Sequence, residues 1–497
     1  MMKTTSSSRS IFLLFLLCIV ITLFNTVYMQ SNTVMFLSIP QYLLVFFFLF
    51  RGKYRTAFLL HAVFIAACVS MGTVIEDGQN PFLYIKCTLY GPITFNLLIL
   101  SILWLLVVGR PILLDKGSLL LKTRKIILYL LISGTVIGLV GLLFLKYYDW
   151  KFIVSRVLFV GEIYLFIDIF VHLYTVSFSK QFETAAICMM AAAPVASVVS
   201  FSLFNVHAVY GLQDTAYVNP IMGLTPCLII ALLHLEKREL RIVSLIGLGF
   251  YAVQLMILSR GHNFLELFVV VILLVYLLYF KRNPSSRIKS FKQSKSFKFL
   301  LPVFLLVFIP FAIGALTSAS DVSLRKFEQF TSLFSIISLS DEGLAVSLED
   351  LGLSPYVRVA ELVNIFYEGL HNIFALLFGK GFGGYYVDDL GLFNGLDLSV
   401  GAFSYEAAIN YGRFYNAHGA IPSLSHYNGL IGLFLMVKLA LSYFKRVDKS
   451  FLVFAAYVLM LQSFYFDMFG CFSYVMALFG AEYALNEPEH KEISSLS

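Results

Sequence analysis

NFLELFVVVILLVYLLYF (263–280), KRNPSSRIKSFKQSKSFK (281–298) and FLLPVFLLVFIPFAIGAL (299–316) follow one another in the chain, and their order decides the fold. Each outer run has the length needed to cross a hydrocarbon core as a helix. The segment between them is strongly basic, as a loop held on the cytoplasmic side of a membrane is. Apolar run, basic loop, apolar run is the pattern of most of this 497-residue chain. Its residues are 59% hydrophobic and 13% charged, about half the charge of an average soluble protein. Mean hydropathy is +0.85. The formal charge of +7 sits in a few inter-span loops, so it marks membrane orientation and gives no ground for expecting nucleic acid as a partner.

The sequence predicts an all-α polytopic membrane protein. Spans are expected near 11–29, 34–50, 56–74, 90–108, 126–146, 152–177, 184–204, 218–234, 240–258, 263–280, 299–316, 422–443, 450–466 and 468–485, about fourteen in all. Residues 1–316 form a helix bundle of about eleven spans, and 422–497 the last helices and a tail. The N-terminal run after Lys3 and Arg9 has no small-x-small cleavage site and reads as a retained first span. Six cysteines, mostly within apolar runs and without CxxC spacing, read as small buried hydrophobes.

Orientation follows from Lys and Arg. Arg51, Lys53 and Arg55 share a side with Arg110, Lys116, Lys122, Arg124 and Lys125. Lys180, then Lys237, Arg238 and Arg241, the 281–298 loop, and Lys445 with Arg446 fall on that side too. It must be cytoplasmic, with both termini. The 317–421 segment then faces outward. Its Leu, Phe, Val and Tyr content argues for a folded loop, and a connection this long is uncommon unless it has a function. Ser354-Pro355 reads as a helix start, the helix running amphipathically from about Pro355 to Phe378, where Gly379-Lys380-Gly381-Phe382-Gly383 stops it.

Several ionisable residues can carry chemistry. Arg358 is expected in the first turn of that helix, where free N–H groups favour an anion; the alternative is a surface arginine paired with Glu361. Arg260 is an outward-facing cation at a span end, against the orientation bias. His418 precedes the span that opens near Pro422 and can act as a general base, with His426 as its rival. Arg156, Glu162 and Asp168 lie within one span; Arg156 is nearest the outer face, and the two acids can simply pair with other helices. His262 and Glu266 share a helical face, but no second half of a metal site accompanies them. The glycine run lacks the Gly-Lys-Ser/Thr ending of a phosphate loop, and no DxD pair marks a nucleotide-sugar site.

Four patches, in order, resemble the O-antigen ligase/polymerase superfamily of bacterial membrane glycosyltransferases. They are Asn219-Pro220; Leu258-Ser259-Arg260-Gly261; Arg358-Val359-Ala360-Glu361-Leu362-Val363 leading to Phe378-Gly379-Lys380-Gly381-Phe382-Gly383; and Ala417-His418 followed by Gly429-Leu430-Ile431-Gly432. Gly419 departs from the asparagine the family often has after its histidine. The resemblance implies a GT-C-like fold in the bacterial inner membrane. It implies transfer of a glycan from a polyprenyl-diphosphate-linked oligosaccharide at the periplasmic face, without cofactor and without metal. It assigns catalysis to His418, Arg358 and Arg260, and diphosphate or glycan binding to Arg156, Arg413 and Asn219. Chain-length regulator and flippase proteins would be partners. Span number, aromatic content and the long loop lean toward a polymerase. A ligase acting on lipid A-core is the alternative, and a transporter or flippase of lipid-linked oligosaccharide is the alternative of another class.

Overall fold

A computed structural model describes residues 8–28, 31–68, 88–90, 93–144, 149–206, 208–210, 213–215, 220–234, 237–257, 261–281, 337–340, 343–346, 353–394, 412–417 and 419–463. The described chain is dominantly helical, with only four two-stranded antiparallel hairpins. The helices are α1 (Ser8–Val27), α2 (Met35–Phe50), α3 (Tyr54–Ala66), α4 (Phe95–Val107), α5 (Leu119–Phe144), α6 (Trp150–Leu173), α7 (Val176–Phe204), α8 (Leu228–His234), α9 (Arg238–Ile257) and α10 (Gly261–Val275). After them come α11 (Leu353–His371), α12 (Ile373–Phe378), α13 (Ala420–Phe444) and α14 (Phe451–Ser463). Each expected span overlaps one of these except those near 299–316 and 468–485, which lie outside the described residues; the one expected over 218–234 is instead a 3-10 stretch, Pro220–Cys227, followed by the seven-residue α8. Among the described residues, five helices are long and apolar enough to cross a membrane: Arg9–Val27, Asn32–Phe50, Leu119–Phe144, Val176–Phe204 and Ile421–Phe444. α6 has that length but carries Lys151, Arg156, Glu162 and Asp168.

α7 is the central helix. Its small residues Ala185, Ala186 and Ala191 to Ala193 are buried, and α1 and α9 pack along it. A Cβ at Gly247 of α9 would lie 2.6 Å from the Ala191 Cα, so that crossing is nearly backbone to backbone. Around α7 the outer helices keep apolar faces exposed, such as Leu13 and Leu16 on α1, Phe36 and Leu43 on α2, and Val136 and Leu143 on α5. Exposed faces this large and continuous suit a lipid surround.

The basic loops meet at one end. Arg55 donates to the Leu173 carbonyl (3.0 Å), and His172 Nδ1 donates to the Arg110 carbonyl (2.8 Å). Arg124 pairs with Asp168, and Lys281 with Asp448 beside Lys445. The Thr123 and Tyr443 hydroxyls, 3.2 Å apart, tie these two groups together. Lys180 is near them, since Phe178 and Phe182 pack on Phe58 of α3. The shared side expected from Lys and Arg counting is thus one end of the bundle for these loops.

At the other end, part of the long 317–421 segment folds as a cap. The expected single helix over 355–378 is in fact two. α11 ends at His371, and Asn372 (φ −140°) caps α12 by accepting from the Ala375 N–H at 3.2 Å. An Asn offers its side chain to the backbone and so competes with helix continuation. The helix also begins at Leu353, before the Ser354-Pro355 start expected, so Arg358 sits in the second turn of α11, beyond the free N–H groups at its start, and not in the first turn as expected. Beneath α11, Ala360, Tyr386, Phe393, Phe414 and Ala417 form a small core of their own. It is closed by the antiparallel pair of β1 (Tyr386–Val387) and β2 (Arg413–Phe414).

The cap is fastened by the strap Gly379–Gly383, which runs between α5, α6 and α13. α13 is broken at Gly429 (φ 62°, ψ −164°). The break takes the His426 and Tyr427 carbonyls out of regular helix bonding, and the strap supplies their donors: Lys380 N–H at 2.7 Å and Gly381 N–H at 3.1 Å. Phe382 N–H donates to the Gly134 carbonyl of α5 at 2.8 Å. A Cβ at Gly381 would lie 2.8 Å from that carbonyl oxygen and closer still to the Gly138 nitrogen. Gly381 also has φ +72°, a backbone region costly for an L side chain.

Gly381→Ala combines that backbone cost with overpacking and is expected to destabilise the fold by about 2–5 kcal/mol. Gly161→Ala in α6, where a Cβ would meet nothing within 4 Å, is expected to stabilise by about 0.5–1 kcal/mol. Equilibrium unfolding of both variants in mixed micelles checks the contrast.

Candidate functional site

The strap sets the neighbourhood of α6's first turns. Asp149 caps α6 by accepting from the Lys151 N–H (2.8 Å), and its own N–H donates to the Gly383 carbonyl (3.3 Å). Strap and α6 are therefore joined where Arg156 emerges, less than two turns into the helix. Arg156 donates to Asn416 Oδ1 at 2.6 Å and lies 5.5 Å from the centroid of the Tyr427 ring. The Tyr427 hydroxyl donates to the Tyr415 carbonyl at 2.8 Å and stands 3.3 Å from the same Asn416 oxygen. Arg156 with Leu130, Val160, Phe382, Tyr427 and Asn428 lines a small pocket between α5, α6, α13 and the strap. Its walls are apolar apart from the guanidinium and the Asn428 amide.

A second arginine joins the first. Arg413, on β2, lies 5.0 Å from the Tyr385 ring centroid. Tyr385 packs edge-on against Tyr415 (5.7 Å), and Tyr415 stacks flat on Phe152 of α6 (4.4 Å, 3° between planes). The Tyr415 hydroxyl is pushed up by burial, with Arg413 pulling against that shift. Lys380 pairs with Glu368 of α11, donates to the Tyr385 carbonyl at 2.7 Å and lies 5.6 Å from that ring. Burial holds its ammonium below the ordinary lysine value, opposed by Glu368. Three cations and three tyrosines thus share the end of the bundle away from the basic loops.

Of the residues singled out from the sequence, Arg156 and Arg413 come together here through Tyr415 and Asn416. Arg358 is half-buried on α11, one turn before the fully buried Glu361, which accepts from the Tyr386 hydroxyl at 3.2 Å. His418, Arg260 and Asn219 lie outside the described residues. His426 is fully buried in α13. Its Nε2 donates to the Gly384 carbonyl at 3.0 Å, and its ring packs edge-on to Tyr386. Those contacts make it a rivet between cap and bundle. The acids of α6 pair with neighbouring helices: Glu162 accepts from Thr94 (3.0 Å) and Asn96 (2.9 Å), and Asp168 from Trp104 (2.7 Å) as well as Arg124. The four described cysteines are buried in the core.

Sequence reasoning passed over Tyr385, Tyr415, Asn416 and Tyr427. One signal was available, because Gly134 and Gly138 are spaced as in a close-packing membrane helix face. Here that face receives the strap instead of another helix. No protein-family model matches the chain, and no curated protein matches it.

Tyr427→Phe removes the bond to the Tyr415 carbonyl and leaves the ring under Arg156. A loss of about 0.5–1.5 kcal/mol is expected, read by thermal denaturation in detergent.

Proposed function

We propose that this chain is a membrane glycosyltransferase of the O-antigen polymerase kind. It moves a growing glycan from polyprenyl diphosphate onto a lipid-linked repeat unit at the periplasmic face of the bacterial inner membrane. One observation carries the reading. Two arginines, Arg156 and Arg413, are framed by tyrosines at the bundle end opposite the basic loops, beside the start of α13. If the basic end is cytoplasmic, this end is periplasmic.

The chemistry suits such a site. The donor sugar is already activated by its diphosphate, so the protein's task is to hold that group and take up the charge it develops. Guanidinium forks bind phosphate oxygens in pairs. The acceptor hydroxyl attacks the anomeric carbon, a new glycosidic bond forms, and the bond from that carbon to the diphosphate breaks. The acceptor proton goes to His418 as general base, and polyprenyl diphosphate leaves with the electron pair. Arg358 and Arg260 would share the leaving-group charge; for them and for His418 the assignment rests on the resemblance of their sequence patches. A site partly screened from water by Phe152, Phe382 and the tyrosines strengthens each of these electrostatic contacts.

Arg156→Ala is expected to lower transfer by about 10²–10³-fold, and His418→Ala by about 10²–10⁴-fold, with the protein still inserted. Deleting the gene should leave a single repeat unit on lipid A-core in a glycan gel. Bare core with polymer retained on the carrier lipid would instead mark a ligase. Normal long-chain glycan from both point variants in the deletion strain would overturn the site.

A further inference from the structure

α11 and α12 meet at a corner where exposed His371 and Asn372, bonded to the Tyr367 carbonyl and the Ala375 amide, are flanked by large apolar side chains. Leu370 is 75% exposed, Ile373 66% and Phe374 57%, and Tyr367, Leu377 and Phe378 continue the edge. On α11 the exposed positions 363, 367 and 370 fall on one helical face, while Glu361 on the opposite face and Asn364 on the flank are buried. A water-facing corner of a cap would not gather its large apolar side chains on the outside.

The depth of the corner is fixed by what its strap touches. Gly429, whose added Cβ would lie 2.5 Å from the Leu377 carbonyl oxygen and from the Gly379 nitrogen, is nine residues into α13. Gly134, which takes the Phe382 amide, is ten residues before the end of α5. At 1.5 Å per residue both points lie about 13–15 Å below the helix ends. α5 and α13 are themselves long and apolar enough to cross a membrane, and α5 keeps Ile132, Val136 and Leu139 exposed at this level. The strap end of α12 therefore stands at the depth of a lipid-facing band, and both α11 and α12 pack on α13 beside it.

Backbone bonding fits that depth. Non-helical chain below the headgroups is tolerated only where its polar groups find partners within the protein. The amides of Gly379, Lys380, Gly381 and Phe382 all donate to carbonyls, of Ala375, His426, Tyr427 and Gly134. Four of the five strap amides are thus paired within the protein, as chain below the headgroups requires.

We propose that α11, α12 and the strap form a re-entrant element whose edge Tyr367, Leu370, Ile373, Phe374, Leu377 and Phe378 is immersed in the acyl-chain region of the bilayer. The cap is then anchored in lipid beside α5 and α13, and does not float above the bundle. The occupant of the exposed edge is lipid.

The test is tryptophan depth in the full chain, reconstituted in phosphatidylethanolamine–phosphatidylglycerol vesicles. The emission that Phe374→Trp adds to wild type should be blue-shifted, lost in vesicles whose acyl chains are brominated at mid-length, and insensitive to aqueous acrylamide. Leu370→Trp, at the most exposed position, should behave alike and serves if the first variant folds poorly. Leu390→Trp, on the cap, supplies the water-exposed reference. Added emission at 370 and 374 that is red-shifted, quenched by acrylamide and untouched by brominated chains would overturn the proposal. This outcome is independent of whether the chain transfers glycans.

Discussion

Two strap amides, Lys380 and Gly381, bonded to two carbonyls released by the break at Gly429, are the contact on which the rest of the outer end depends. A broken helix within a membrane has carbonyls that water does not reach, and a loop entering the membrane has amides with the same problem. Each defect satisfies the other. The exchange requires near-contact of backbones, which explains glycine at 134, 138, 379, 381 and 429. Once the strap is seated, Gly383 holds the start of α6, Gly384 takes the His426 ring, and Tyr385 and Tyr386 are delivered to the two sides of the cap. Arg156, Arg413 and Lys380 are positioned as a consequence.

The charge layout follows a second constraint. Cations near the basic end are neutralised in pairs, Arg124 with Asp168 and Lys281 with Asp448, as intramembrane ionisable groups require. At the opposite end Arg156 and Arg413 lie against aromatic rings and neutral polar groups, Asn416 for one and Tyr385 for the other. Ring faces and an amide oxygen orient these two guanidinium groups, while Lys380 beside them pairs with Glu368.

Much of this was legible in the sequence. Apolar runs located the helices because a helix crossing lipid must be apolar over a set length, and of the loops grouped by Lys and Arg counting those of Arg55, Arg110, Arg124, Lys281 and Lys445 meet at one end. Glu162 and Asp168 pair across helices, as their position inside a span allowed. The glycine run was read as shaping a turn; its contacts with α5 and α13 were not legible, because backbone proximity between segments far apart in the chain leaves no local periodicity. The split at Asn372 was missed because an asparagine inside an amphipathic pattern breaks the helix only when its side chain finds the amide three residues on. Arg156 was singled out from its place in a span, whereas its aromatic setting depends on Tyr415 and Tyr427, which come from another part of the chain.

The central claim is that the arginine and tyrosine cluster pinned by the strap handles a glycan diphosphate. It is tested most directly by purifying the chain, reconstituting it in vesicles with a lipid-linked repeat unit as both donor and acceptor, and following polyprenyl diphosphate release alongside glycan length. A ladder of longer glycans with one diphosphate released per added unit, lost in Arg413→Ala while the variant still inserts and folds, is the expected result. Substrate that stays at its original length, or a ladder unchanged in Arg413→Ala and Arg156→Ala, would contradict it.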